Sequence, residues 1–238
     1  MSSADDASRP RTPHYPLSMS TAEPGTHWTE DEPRTRWSEV SGGLGGATAY
    51  QQRFDDLAAS GMDIHGEAAF IESLLPAPAR VLDAGCGTGR VATQHPSLGY
   101  HCVGVDADAD MLEVAAQRDR TTRWVRQDIS ELQLRSQAFN LVVLAGNVVP
   151  LLASGTLLRT VQRLVAHLQP GGLLVAGFGL DAAHLPPGCP VTPLESYDRA
   201  CTVAGLSFAR RFATWDKESW HAGAGYAVSV HRLVDSTV

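Results

Sequence analysis

Positive charge and long apolar runs are both in short supply along this chain, and each shortage closes off a class of function. Lys and Arg number 19 against 26 Asp and Glu, a formal net charge of −7 over 238 residues. A sequence-independent grip on nucleic acid needs clustered cations to displace counterions from phosphates, so nucleic acid is not an expected partner. No apolar run approaches the roughly 20 residues that span a bilayer, and the N-terminus lacks the apolar stretch of a signal peptide. No membrane partner is expected, and a cytoplasmic location is. Cys86, Cys102, Cys189 and Cys201 form no CxxC pair and have no His at ligand spacing, which removes a disulfide framework and a zinc site. Free thiols, no metal and a small-molecule substrate follow as expectations. There is no internal repeat, and no feature sets an oligomeric state.

The length suits one domain with appendages. Residues 1–46 are rich in Ser, Thr, Pro, acids and Gly with little to bury, so they read as a mostly flexible tail. Trp28 and Trp37 depart from that composition, and an indole in a tail docks either on the domain surface or at a ligand mouth. Residues 47–238 read as the domain. Tyr50, Phe54, Leu57 and Ala58 recur at helical spacing over 48–60, and a second helix spans 66–75, ending before Pro76. Beyond Pro78, strand and helix alternate, the pattern of a parallel sheet covered on both faces. Strands are predicted at 80–83, 101–105, 123–126, 140–144 and 172–178, with helices at 108–118 and 154–168. The alternation stops after Gly179. A loop over 180–193, a short helix over 194–204 and two strands near 208–214 and 226–234 complete the chain.

The residues that carry chemistry begin at Val81–Arg90, VLDAGCGTGR. An apolar strand ends in Asp83 and opens into Gly85, Gly87 and Gly89, where the missing Cβ atoms allow a sharp turn and direct approach of a ligand to the main chain. The dinucleotide fingerprint GxGxxG needs a third glycine where this chain has Arg90, so the spacing is GxGxG. A helix is expected to follow the loop and aim its amides at an anion, although Pro96 and Gly99 keep it short. A tight turn without a ligand is the plain alternative. Strand two ends in Asp106, 21 residues after Gly85. A carboxylate there accepts both hydroxyls of a cofactor ribose, as in nucleotide-binding sheets generally.

With GxGxG after strand one, VGVDAD at 103–108 and RQDI at 126–129, the chain resembles the Rossmann-like S-adenosylmethionine-dependent methyltransferases of the small-molecule type. The resemblance implies a doubly wound, mostly parallel α/β sheet of seven strands with an antiparallel C-terminal hairpin, preceded by N-terminal helices. It implies S-adenosylmethionine as cofactor, held by Asp83, Gly85, Cys86, Gly87 and Gly89 of the loop and by Asp106. Ala107 and Met111 stand where the family contacts adenosine, though Met111 is equally readable as core. Asp128 and Ile129 match its adenine-binding pair, with Asp128 as a turn cap the alternative. Ala145 and Asn147 end strand four, where donor and acceptor meet, and Asn147 is equally readable as turn chemistry. Where the family shows Phe-Asp-Leu-Val at the start of that strand, this chain has Asn140. The LQPGGLL run at 168–174 matches the family's helix-to-strand punctuation, with Gly171 expected to end the helix.

Methyl transfer from a sulfonium needs alignment above all, so no triad is expected, and catalytic residues stay unassigned. A general base enters only where the acceptor must lose a proton. His184 is the best-placed histidine, ahead of His65 and His221, though for each an exposed or packed His with no chemistry is the preferred plain reading. Tyr50, Arg53 and Phe54 lie on a helix where the family covers its cofactor. Two other readings stand beside this one: a nicotinamide-dependent oxidoreductase, which Arg90 and Asp128 disfavour, and a non-catalytic module of the same fold.

Overall fold

A computed structural model describes residues 35–40, 45–62, 64–94, 98–135 and 138–234. Trp28, and residues 1–34 and 41–44 of the expected tail, lie outside them. The described chain builds one seven-stranded sheet in the order β3-β2-β1-β4-β5-β7-β6. Its strands are β1 (Arg80–Ala84), β2 (His101–Asp106), β3 (Arg123–Arg126), β4 (Phe139–Leu144), β5 (Leu168–Gly179), β6 (Leu206–Phe212) and β7 (Tyr226–Leu233). Pairing is parallel from β3 across to β5, and β7 runs antiparallel to both β5 and β6. This is the expected doubly wound sheet with its antiparallel end.

The central strands are buried on both faces, so their apolar runs are nearly continuous. Successive side chains alternate between faces. Leu82, Val142 and Leu144 thus join the core beneath α6 (Leu157–Val165) and α7 (Leu194–Val203), while Val81, Leu141 and Val143 join the core containing Phe70 and Ile71 of α3 (Gly66–Leu74). The remaining helices are α1 (Trp37–Val40), α2 (Gly46–Ala59), α4 (Ala109–Arg118) and α5 (Val148–Leu151). Asn140, in place of the family's acid, accepts the Arg80 N–H at 2.8 Å and so joins the starts of β1 and β4.

Three expectations need correction. No α-helix follows the glycine loop: residues 87–94 form successive turns, because Val91 and Ala92 are buried against the sheet and Pro96 and Gly99 leave too little chain for a helix. The helix predicted over 154–168 is shorter, and strand five begins earlier, at Leu168. Consequently Gly171 (φ +72°) does not end a helix. It lies within β5, where the register against β4 jumps from Phe139 opposite Leu168 to Leu141 opposite Leu173. The chain between those partners bulges outward.

Candidate active site

The parallel strands end along one edge, and the turns that leave them enclose a cavity of about 110 Å³. Crevices at this edge are where open α/β sheets bind ligands. The glycine loop supplies Asp83, Gly85, Cys86 and Gly87, and β2 with the start of α4 supplies Asp106, Ala107 and Met111. Asp128, Ile129 and Ala145 complete the residues of the sequence-derived set that line it. Gly89 and Asn147 do not.

Those two absences have physical causes. A Cβ on Gly89 would overlap the Trp124 ring, and one on Gly104 would do the same, so the indole is a slab packed between two glycines. Gly89 serves that packing. At Gly85 a Cβ would come within 2.7 Å of Val148, whereas at Gly87 it would meet nothing nearer than the Met111 sulfur at 4.0 Å. Of the three, Gly87 alone has open space where a Cβ would stand. Asn147 (φ +68°) spends its amide on backbone: its Oδ1 accepts the Gly179 N–H at 2.7 Å and its Nδ2 donates to the His184 carbonyl at 3.1 Å.

The carboxylates are held by main-chain donors. Asp106 accepts the Gly87 N–H at 2.8 Å on one oxygen and the Asp108 N–H at 2.9 Å on the other. The Ala107 amide also bonds to this carboxylate. Burial nonetheless pushes Asp106 up to about 6, against the pull of those amides. Asp83 is 1% exposed and accepts a single N–H, from Ala92 at 3.2 Å, and burial raises it to about 7. Asp128 accepts the Ser130 N–H at 2.7 Å, so it caps its 3-10 turn and also faces the cavity. Burial holds the Cys86 thiol well above its ordinary range, and all four cysteines are free.

The cover comes from the N-terminal segments, which sequence reasoning assigned only in part. Residues 35–40, placed by composition in the tail, pack across the cavity mouth. Trp37 donates to Asp108 Oδ2 at 2.7 Å, while Arg36 donates to the Leu151 carbonyl at 3.0 Å and the Pro150 carbonyl at 3.1 Å. Trp37 thus docks on the surface and lines the ligand mouth at once. Tyr50 lines the cavity in an edge contact with Trp37, and burial raises its phenol. Thr88 donates to buried Gln51 at 2.5 Å, tying the loop to α2. Arg90 ties it to α3 through a bidentate pair with Glu67, donates to the Ile64 carbonyl at 2.5 Å, and lies over the Phe54 ring. Thr88, Arg90 and Val148 carry no motif signature. Their roles come from contacts between segments far apart in sequence.

The finished lining contains three carboxylates, Asp83, Asp106 and Asp128, and one cation, Arg90, already neutralised by Glu67. Among the described residues no free cation faces the cavity. That lining is ill-suited to a pyrophosphate and complementary to a ligand that is itself positively charged.

A doubly wound sheet with an acidic, glycine-bordered crevice at its switch point defines a nucleoside-cofactor protein of the methyltransferase class. Comparison with known proteins agrees. The methyltransferase-domain family matches residues 81–172. The structure is similar to that of a TehB-like S-adenosylmethionine-dependent methyltransferase from Corynebacterium glutamicum, with 32% identity and a TM-score of 0.70 over 78% of this chain and 96% of that one. In sequence it is similar to the malonyl-[acyl-carrier protein] O-methyltransferase of Enterobacter lignolyticus, 31% identical over 137 residues, or 57% of this chain and 51% of that protein. It is also similar to the dTDP-3-amino-3,6-dideoxy-alpha-D-glucopyranose N,N-dimethyltransferase of Streptomyces fradiae, 28% identical over 120 residues, or 48% and 47%. The chain spans about half the length of these curated relatives. It belongs to the S-adenosylmethionine-dependent methyltransferases, and S-adenosylmethionine is the cofactor of that family.

Proposed function

We propose that residues 47–238 form the catalytic domain of an S-adenosylmethionine-dependent methyltransferase acting on a small-molecule acceptor. The observation that carries this reading is the make-up of the cavity: three acidic side chains and no unpaired cation among its described lining. A sulfonium cofactor with an α-ammonium group gains from that field. The pyrophosphate of a nicotinamide dinucleotide would be repelled by it, which disfavours the oxidoreductase reading.

In this reading Asp106 accepts the ribose hydroxyls while its bonds to Gly87 and Asp108 keep the loop closed. Asp83 faces the cationic end, where its ionised form gains a partner, and the open main chain at Gly87 meets the amino-acid moiety. Asp128 and Ile129 hold the adenine, with Ala107 and Met111 along the adenosine. Ala145 keeps space open at the end of β4. Trp37 and Tyr50 exclude water from the mouth. When bound, the cofactor supplies an activated methyl group and its own leaving group. The chain then contributes alignment, on the order of 7 to 11 kcal/mol of the barrier where the reacting atoms are held in line.

The relatives named above act on a malonyl-carrier protein and on an amino sugar nucleotide, so they do not define one acceptor atom. The small-molecule reading draws support from the net charge of −7, which disfavours nucleic acid. No helix among the described residues is long and apolar enough to cross a membrane. We place the protein in the cytoplasm, a reading supported by its four unpaired cysteines. Calorimetry with S-adenosylmethionine, S-adenosylhomocysteine and NAD tests the proposal. Micromolar binding of the first two and none of the third is expected, and tight NAD binding would refute it.

A further inference from the structure

Beside the cofactor cavity, across the Arg90–Glu67 pair, lies a wider cleft of about 690 Å³ between the N-terminal helices and the β6–β7 connection. Arg90 borders both spaces. Phe54, Leu57 and Met62 form one wall and Trp215 and Tyr226 the other, with the Trp215 indole donating to the Tyr226 hydroxyl at 3.3 Å. The aromatic rings of Phe54, Trp215 and Tyr226 in this apolar lining suit a flat apolar body. The charges in the lining are Glu67 and Arg90, which neutralise each other, and Asp216, for which no ion pair exists among the described residues. An anionic acceptor would find no free cation there.

His184 enters this cleft from the 3-10 turn after β5. Its Nδ1 lies 2.7 Å from Asp181 Oδ1, the same oxygen that accepts the N–H groups of Ala183 at 3.0 Å and His184 at 3.2 Å. The imidazole beside it holds the Asp181 carboxyl below its ordinary range. A carboxylate on Nδ1 fixes the tautomer: Nδ1 carries the hydrogen and Nε2 presents a lone pair. Nε2 has no hydrogen bond among the described residues. The ring is packed so closely on Gly225 that a Cβ there would overlap it. The His184 carbonyl is held by Asn147, whose neighbours Gly146 and Val148 line the cofactor cavity. The turn that carries His184 is thereby tied to the end of β4, which borders the cofactor cavity.

We propose that this cleft receives an uncharged or cationic methyl acceptor with a flat apolar body and a dissociable proton, and that His184 Nε2, oriented by Asp181, takes that proton. This rests on the methyltransferase reading above. The acceptor's lone pair forms the new bond to carbon as the carbon–sulfur bond of the donor breaks and its electron pair stays on sulfur. The acceptor's proton moves to Nε2 and from there to solvent. Asp181 is a positioning residue. The ionisable groups sharing the cleft are Asp181 on the same turn, Glu67 of α3, Arg90 of the glycine loop, Asp216 and His221 of the β6–β7 connection, and Tyr226 of β7.

The test uses the full chain saturated with S-adenosylhomocysteine and two phenols that differ in the charge of their tails, tyramine and 4-hydroxyphenylacetate. Calorimetry should show tyramine binding at least about tenfold tighter, a difference of about 1.4 kcal/mol. The His184 Nε2 nitrogen resonance should shift when tyramine binds. With S-adenosylmethionine and tyramine, His184→Gln should lower kcat by roughly 10² to 10⁴-fold and remove the rise of kcat with pH, while the affinity for S-adenosylhomocysteine stays within about twofold. Asp181→Asn should lower kcat less and displace that pH limb. Equal or tighter binding of the anionic phenol, binding of neither, an unmoved Nε2 resonance, or a His184→Gln enzyme that keeps its rate and pH limb would each overturn the proposal. Failure of S-adenosylhomocysteine itself to bind would instead overturn the methyltransferase reading.

Discussion

The two depressions at the carboxyl edge of the sheet are built by opposite means. The cofactor cavity draws on strand ends and the turns that leave them, and its polar groups are held by main-chain amides: Gly87 and Asp108 on Asp106, Ala92 on Asp83, Ser130 on Asp128. The cleft beside it is lined by side chains from α2, α3, the turn after β5 and the β6–β7 connection, and its polar groups answer to other side chains, as His184 does to Asp181 and Trp215 to Tyr226. A cavity made from backbone geometry tolerates few sequences. One made from side chains can be relined without disturbing the sheet, so the first region reports the family and the second the individual enzyme.

Substitutions at the centre of each region should separate them most sharply. Asp106→Ala removes the carboxylate proposed to accept the two ribose hydroxyls, and charge-assisted hydrogen bonds of about 1.5 kcal/mol each imply roughly 100-fold weaker S-adenosylmethionine binding. Trp215→Ala, on the far side of the Arg90–Glu67 pair, should leave that affinity within about twofold. Calorimetry on both variants checks this, with thermal unfolding to confirm that each is folded. Equal losses would show one continuous site.

The glycines give a contrast within the loop itself. Gly89→Ala forces a Cβ into Trp124 at a φ of +77°, and overpacking of this kind costs about 1–3 kcal/mol of stability. Gly87→Ala adds a Cβ in open space and should cost only the backbone strain of its positive φ, about 1 kcal/mol, while weakening the cofactor. Denaturant unfolding with and without S-adenosylhomocysteine distinguishes them. A Gly89 variant as stable as the parent would remove the packing role assigned to that glycine.

Trp37→Ala removes the bond to Asp108 and the edge contact with Tyr50 that hold the 35–40 segment over the mouth, so cofactor binding should weaken by up to about tenfold as the cover loosens. The melting temperature of the cofactor-free protein should fall only slightly, because the two lost contacts lie at the mouth and the 37–40 helix buries no residue in the core. An unchanged affinity would show that the segment lies idle at the mouth.

The smallest expected effect is that of pH. Burial raises Asp83 from 3.8 to about 7 and Asp106 from 3.8 to about 6, so between those values the native state binds protons more tightly than the unfolded chain. Their contribution to stability is complete below about 3.8 and is lost as pH rises through 6 and 7. The cofactor-free protein should therefore melt at a lower temperature at pH 8 than at pH 5.5, and Asp83→Asn should flatten that slope. Cofactor binding, which favours the ionised acids, should weaken as pH falls through 6 and should release protons near that pH, measurable by calorimetry in buffers of different ionisation enthalpy.

Legibility in the sequence follows the same division. Asp83 and Asp106 were visible because each stands immediately after an apolar run, at the end of a parallel strand that pattern alone specifies, and Asp128 because RQDI at 126–129 carries the family resemblance. Thr88, Arg90 and Val148 were not, since nothing in the loop says which helix will lie over it. Gly89 was misjudged because a glycine needed for an indole and a glycine needed for a ligand look alike until Trp124 is in place. Asn147 was readable both as a ligand contact and as turn chemistry, and its amide is engaged by Gly179 and His184, partners more than 30 residues away in sequence.

The sequence by itself determined the parallel sheet, the strand ends where acids gather, and the family, because apolar runs, the alternation of strand and helix patterns and glycine spacing are local properties of the chain. Only the tertiary structure decided which glycine opens to the ligand, that Trp37 closes the mouth, and that Asp181 aims His184 into a second cleft. Those arrangements are set by packing between distant segments, and packing is decided by shape in three dimensions rather than by order along the chain.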